Sequence, residues 1–235
     1  MYKRLIIASL FLLAISCDNT TEGSKGKQPD AIEFQTLHTS IPDTTSNPYA
    51  LAVKNIVESL GFYFQPINSL IGAMDGYDWT YNNNTYRYTF QFEGGSFTYE
   101  IIENENGSYT FNYIVNGSYG STTVTDFVLF SGTYSADGGQ GNWSMYDLDQ
   151  NDDPYVYFTY TWSIDGNSTG FTITEYSGPG VIYGTYSIVV NTDGSGTLNY
   201  VENSVTRQSA TWAADGHGTV NYYDEQGDLT DTQNW

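Results

Sequence analysis

Cationic side chains are scarce in this 235-residue chain: Lys and Arg together number 7 against 27 Asp and Glu, for a formal net charge of −20. Beyond Arg87 the only one is Arg207. Nucleic-acid binding needs Lys and Arg to displace condensed counterions, so a nucleic-acid partner is excluded. The same charge repels an anionic lipid surface. Cysteine occurs once, at Cys17, so no internal disulfide can form. The two histidines, His38 and His217, are far apart and form no H-E-x-x-H pair, which leaves zinc chemistry short of ligands. No glycine-rich phosphate loop precedes a helix. The one long apolar run, Leu5 to Ile15, falls short of the roughly 20 residues that cross a bilayer.

That run follows Met1-Tyr2-Lys3-Arg4 and precedes Ser16-Cys17-Asp18. A basic start, a short apolar stretch and a small residue before the cut form the pattern of an export signal. The stretch Leu13-Ala14-Ile15-Ser16-Cys17 resembles the lipobox of bacterial lipoproteins, departing from it in Ala14, where Leu is commonest. The resemblance implies removal of residues 1–16 and acyl chains, palmitate among them, on the thiol and new amino terminus of Cys17. It also implies an exported protein, lipid-anchored in the cell envelope, with inner membrane, outer membrane and cell surface open as alternatives. A secretory signal beside a chance cysteine is the plainer reading. The single cysteine of the chain standing where lipidation needs it favours the lipid.

Residues 17–46 are rich in Thr, Ser, Asp, Gly and Lys, the composition of a mostly flexible tether. A single domain is expected over 47–235, opening with a helical segment over 47–73. Asn47 suits an N-cap, Pro48 the first helical position and Gly61 an end. Tyr49, Ala52, Val53, Ile56, Val57 and Leu60 then share one face at spacings of three and four.

From Tyr77 the period changes to two. Tyr86, Tyr88, Phe90 and Phe92 alternate with Arg87, Thr89 and Gln91; Val156, Phe158, Tyr160, Trp162 and Ile164 alternate with Tyr157, Thr159, Thr161 and Ser163. Alternation of this kind marks strands with one buried face. The pairs Gly94-Gly95, Asn106-Gly107, Asn116-Gly117, Asp165-Gly166, Asp193-Gly194 and Asp215-Gly216 read as hairpin turns. A strand, Asp-Gly turn, strand unit recurs around Asp137-Gly138, Asp193-Gly194 and Asp215-Gly216. The expected fold is mainly β: an antiparallel meander of about 10–12 strands, strongly curved or barrel-like, with the N-terminal helical segment packed on it. A two-sheet sandwich is the alternative.

Chemistry is thin. Gly166-Asn167-Ser168-Thr169-Gly170 spells G-x-S-x-G, but a nucleophile elbow needs a helix after it and a strand follows here. Asp147, Asp149, Asn151 and Asp153 place oxygens at alternate positions, a weak Ca²⁺ candidate that lacks the glycine and glutamate of an EF-hand. Glu175 and Asp126 each fall in phase with apolar neighbours and are candidates for a hydrolytic carboxylate pair. Otherwise no cofactor is expected. Tyr and Trp abundance suits a hydrophobic or amphipathic ligand, or stacking on glycans, as well as a plain core. The expectation is a membrane-anchored, non-catalytic binding protein whose ligand or protein partner stays open. Glycan binding through exposed Tyr and Trp is the first alternative, and a carboxylate-pair hydrolase the second.

Overall fold

The structure, a computed structural model, describes residues 38–59, 79–119 and 122–235. The expected signal, Cys17 and the tether up to residue 37 lie outside the described residues, as does the expected continuation of the helical segment over 60–73. What is described is one helix, α1 (48–59), and thirteen strands. The strands are β1 (Thr80–Asn82), β2 (Thr85–Phe92), β3 (Gly95–Glu103), β4 (Tyr109–Tyr119), β5 (Thr122–Tyr134), β6 (Gln140–Leu148) and β7 (Pro154–Ile164), followed by β8 (Ser168–Gly178), β9 (Val181–Asn191), β10 (Gly196–Glu202), β11 (Val205–Trp212), β12 (Gly218–Tyr223) and β13 (Leu229–Asn234). They form a single sheet in sequence order, every neighbour antiparallel. β1 and β13 do not pair, so the sheet is open, and there is no second sheet of a sandwich among the described residues.

Register explains why the alternating pattern works. Tyr86, Ile101, Phe111, Gly132, Trp143, Tyr160, Ile173, Tyr186 and Tyr200 stand directly opposite one another from strand to strand. A side chain's face is set by the parity of its position, so this row and its neighbours two residues away form one continuous apolar face. Tyr160 is fully buried there, and Phe111, Ile188 and Leu198 are nearly so. Burying each such side chain stabilises the fold by roughly 1.5–3 kcal/mol. The opposite row, Arg87, Glu100, Asn112, Ser131, Ser144, Thr159, Thr174 and Thr185, is polar throughout.

The strand pairs bend in a regular way. Register shifts occur in β4–β5, β6–β7, β8–β9, β10–β11 and β12–β13, each toward the same end of the sheet. β3–β4, β7–β8 and β9–β10 carry none. Bulges bend a strand and increase its local twist, and here they gather toward one end of the sheet. One of them corrects the turn reading of Asn116-Gly117. Both residues lie inside β4, opposite Ser96 and Gly95, at the register shift, with Gly117 at φ 119°. A Cβ on Gly117 would sit 2.3 Å from the Gly94 carbonyl oxygen, so this glycine serves a close strand approach instead of a turn.

α1 begins as its sequence implies. The Asn47 side chain accepts the N–H groups of Tyr49 (2.9 Å) and Ala50 (3.2 Å), which would otherwise lack partners at the helix start. Its buried stripe is Ala50, Val53 and Val57, with Ile56 and Tyr49 partly covered and Tyr49 against Tyr222. Ala52, expected on that stripe, is exposed. Lys54 is buried instead: its ammonium donates to the Ile41 carbonyl (3.3 Å) and pairs with Asp43 and Glu58. The packed body therefore takes in chain ahead of the expected boundary at 47. Ile41 is 1% exposed. The Ser40 N–H donates to the Gly194 carbonyl (2.8 Å), and its hydroxyl donates to that of Ala213 (2.6 Å).

Candidate functional site

The acidic loop between β6 and β7 is built around Asp149. Its carboxylate accepts the N–H groups of Asn151 (2.7 Å) and Asp153 (3.0 Å), while the Asp149 N–H reaches back to the Asp153 carbonyl (3.0 Å). These bonds favour the ionised carboxylate and hold its pKa below the usual range, the Asp153 N–H contributing most. Asp147 accepts the Leu148 N–H, and Asp152, at φ 64°, accepts the Thr122 hydroxyl (2.8 Å). Asp149, the central residue of the Ca²⁺ candidate Asp147, Asp149, Asn151 and Asp153, is thus spent on turning the chain. Among the described residues no three His, Cys, Asp or Glu side chains gather as a metal-holding group.

The two carboxylates read from the sequence as a hydrolytic pair lie on β5 and β8, three strands apart, or about 14 Å at ~4.8 Å per strand. Asp126 is an exposed, positive-φ residue tied to Asn116 by mutual backbone and side-chain bonds. Glu175 faces the apolar side between Phe158 and Gly184, and burial pushes its carboxyl up. What the fold sets near it is Glu202, opposite Gly184 from the other side. Glu202 pairs with the Arg207 guanidinium (3.1 Å) and accepts the Tyr183 hydroxyl. The ring of Tyr200 lies over Gly184 between the two acids; a Cβ on that glycine would meet it at 3.0 Å. That placement depends on cross-strand register and is not visible in the linear sequence.

The rings of the apolar face pack on one another. Trp143 contacts Phe130, Phe158 and Tyr160, and Tyr160 contacts Trp162 and Phe171, at centroid separations of 5.4–6.2 Å. Trp79, Trp143, Trp162 and Trp212 are buried, and Trp235 is half-buried. Trp235 borders an open depression of about 530 Å³ with Trp212, His217, Thr211, Thr219 and Asn234. A smaller one of about 380 Å³ lies over β1 and β2, at Thr80, Asn82, Asn83, Thr85 and Arg87.

Among the described residues, the large apolar side chains that stay outside are few: Val181, Ile182, Val189 and Leu229. Val181 and Ile182 sit at the tip of the β8–β9 hairpin. β7 stops pairing with β8 at Glu175, and β10 stops pairing with β9 at Gly184. Residues 176–182 therefore form a hairpin end, the finger, that pairs with neither β7 nor the β10 ladder, kinked by register shifts at Tyr176 and tied to the β10 side at Tyr183, whose carbonyl accepts the Asn203 N–H (3.1 Å). Pro179-Gly180 closes it, with Gly180 at φ 69°, the positive value that the third position of a type II turn requires. The sequence reading passed over this finger. Its signal is Gly178-Pro179-Gly180 followed by two consecutive apolar residues that break the alternation. No protein-family model matches the chain, and no curated protein matches it at a significant level.

Proposed function

We propose that this protein is an envelope lipoprotein, held to the membrane by acyl chains on Cys17, that acts without catalysis by binding a protein partner through its outer surface. The observation that carries this reading is the division of apolar side chains. The sheet's rings are consumed in packing against each other, while Val181 and Ile182 are exposed at the tip of a hairpin end that pairs with neither neighbouring strand. A protein that worked by enclosing a lipid would keep its aromatic face for the ligand. Exposed apolar groups on a stiff element suit a partner's surface. Two measurements test the proposal. Fatty-acid labelling in cells should mark the wild type and vanish in Cys17→Ser. Native mass spectrometry of the purified protein should show no lipid-sized adduct, and a stoichiometric one would return the function to ligand carriage.

Glycan binding is the second reading, favoured by half-buried Trp235 beside His217, Asn234 and Thr219 in the open depression. A glycan array separates it: binding lost in Trp235→Ala and kept in Ile182→Ser supports this reading over the first.

A further inference from the structure

We infer that the β8–β9 finger is a docking knob for a protein whose surface offers an apolar pocket rimmed by Lys and Arg, at the end of the sheet opposite Ser40. This deepens the proposed function and rests on it for the anchor. Three observations select this occupant. The tip carries Val181 and Ile182 at 56% and 51% exposure, beside a turn in which the Pro179 ring fixes one φ and so limits the entropy lost when the tip is gripped.

Position is the second. At the N-terminal end of the described residues, Ser40 is bonded to the turn carbonyls of Gly194 and Ala213. Those turns lie at the far end of β9 and β11 from the finger. Eleven residues of β9 separate the two ends, about 36 Å at ~3.3 Å per residue. Ser40 and the knob are thus at opposite ends of β9.

Charge is the third. The finger shares its end of the sheet with the turn bearing Asp149, Asp152 and Asp153 and with the turn bearing Asp224, Glu225 and Asp228. The cation in the strands beside it, Arg207, is paired with Glu202. An apolar tip in an acidic collar disfavours anionic bilayers and is complementary to a basic-rimmed pocket.

The experiment uses full-length lipoprotein in its own cells, with a photo-crosslinking residue placed at position 182 or, as a control, at exposed Thr161 on the polar face of β7. A discrete protein adduct from position 182 that is absent from position 161 is expected. The captured protein, purified, should bind the wild type, with the affinity falling at least about tenfold in the double variant Val181→Ser, Ile182→Ser and falling again with added salt. An unchanged melting curve shows that the variant is folded. The inference is overturned by adducts of equal yield from both positions, by none from position 182, or by partner binding that the double variant leaves intact. It is also overturned if position 182 labels phospholipid, or if the purified protein binds phosphatidylcholine vesicles through the tip, since the finger is then a membrane wedge. Loss of the lipid claim in the Cys17→Ser labelling, with the position 182 adduct retained, would end the anchor reading and leave the knob standing.

Discussion

The indole Nε1 of Trp212 donates to the carbonyl of Gly194 at 2.7 Å, locking the turn of the hairpin that precedes its own strand. The same bond recurs from Trp162 to Gly138 (3.0 Å) and from Trp235 to Gly216 (2.8 Å). In each case the tryptophan stands directly across from a glycine at the first or second position of the adjacent strand: Gly196, Gly141 and Gly218. The ring lies flat on that glycine because no Cβ is in the way. At Gly196 a Cβ would be 2.4 Å from Trp212 Cζ2 and 2.3 Å from the Val189 carbonyl oxygen. The repeat is therefore a turn, a bare strand position and an indole two strands further along.

Both the indole and the bare position beneath it should matter. Trp212→Phe loses one hydrogen bond, about 1 kcal/mol, and part of a buried ring, for about 1–2 kcal/mol more, while Gly194 keeps its bond from Ser40. Gly196→Ala forces ring and backbone apart and should cost about 1–3 kcal/mol on top of that strain. Urea midpoints of the two variants rank them; a Gly196→Ala protein as stable as the wild type would contradict the ring-on-glycine packing.

Acid should unfold the protein through its turns. Hydrogen bonds lower the carboxyl pKa of Asp137 and Asp193, chiefly from the hydroxyls of Ser135 and Ser195, and of Asp149 and Asp165, chiefly from the N–H groups of Asp153 and Asn167. Native pKa values below the ordinary 3.8 mean that the unfolded chain binds protons first as pH falls. This stabilisation is complete above the ordinary value and lost as pH drops through the lowered ones. Asp149→Ala should lower the melting temperature at pH 7 and differ less from the wild type near pH 3. Millimolar Ca²⁺ should leave the wild-type melting temperature unmoved, and a rise abolished by Asp149→Ala would restore the ion reading of that loop.

Glu175 should act in the opposite direction. Burial raises its carboxyl above the ordinary 4.5, so the folded protein holds the proton longer than the unfolded chain does. Its contribution favours folding most at low pH and declines as pH rises from the ordinary value through the raised one. Glu175→Gln, which keeps the shape and cannot ionise, should raise the melting temperature at pH 7 by a few degrees and leave it little changed at pH 4. Equal effects at both pH values would show that its burial is not what matters.

Limited proteolysis should report where the packed body starts. With Ser40 bonded to two turns and Ile41 buried beside Lys54, the resistant fragment should begin near residue 40 and not near 47. Ser40→Ala removes the bond to Ala213 and should shift cleavage toward the helix, with about 1 kcal/mol lost.

Several elements were legible before any coordinates. Asn47 and Pro48 announce the helix start because capping is a local contact between residues two and three apart. The rings at Tyr86–Phe92 and Val156–Ile164 announce strands because parity alone assigns their face. Local rules also mislead where two structures need the same residues: an Asn-Gly pair with positive φ serves a bulge as readily as a turn, and Asn116-Gly117 is the bulge. In Asn83-Asn84 and Asn203-Ser204 both residues of the pair take positive φ and make turns without any glycine, so a search for glycine pairs passes over them.

Alternation, turn spacing and the cap thus determined an antiparallel meander with one apolar face and a helix at its start, since each depends on neighbours within a few residues. Tertiary structure alone decided which distant groups meet: Tyr200 with Gly184, Trp212 with Gly194, Ser40 with Ala213, and a finger that pairs with neither neighbouring ladder. Cross-strand register sets those meetings, and a register is a relation between whole strands that no single stretch of chain contains.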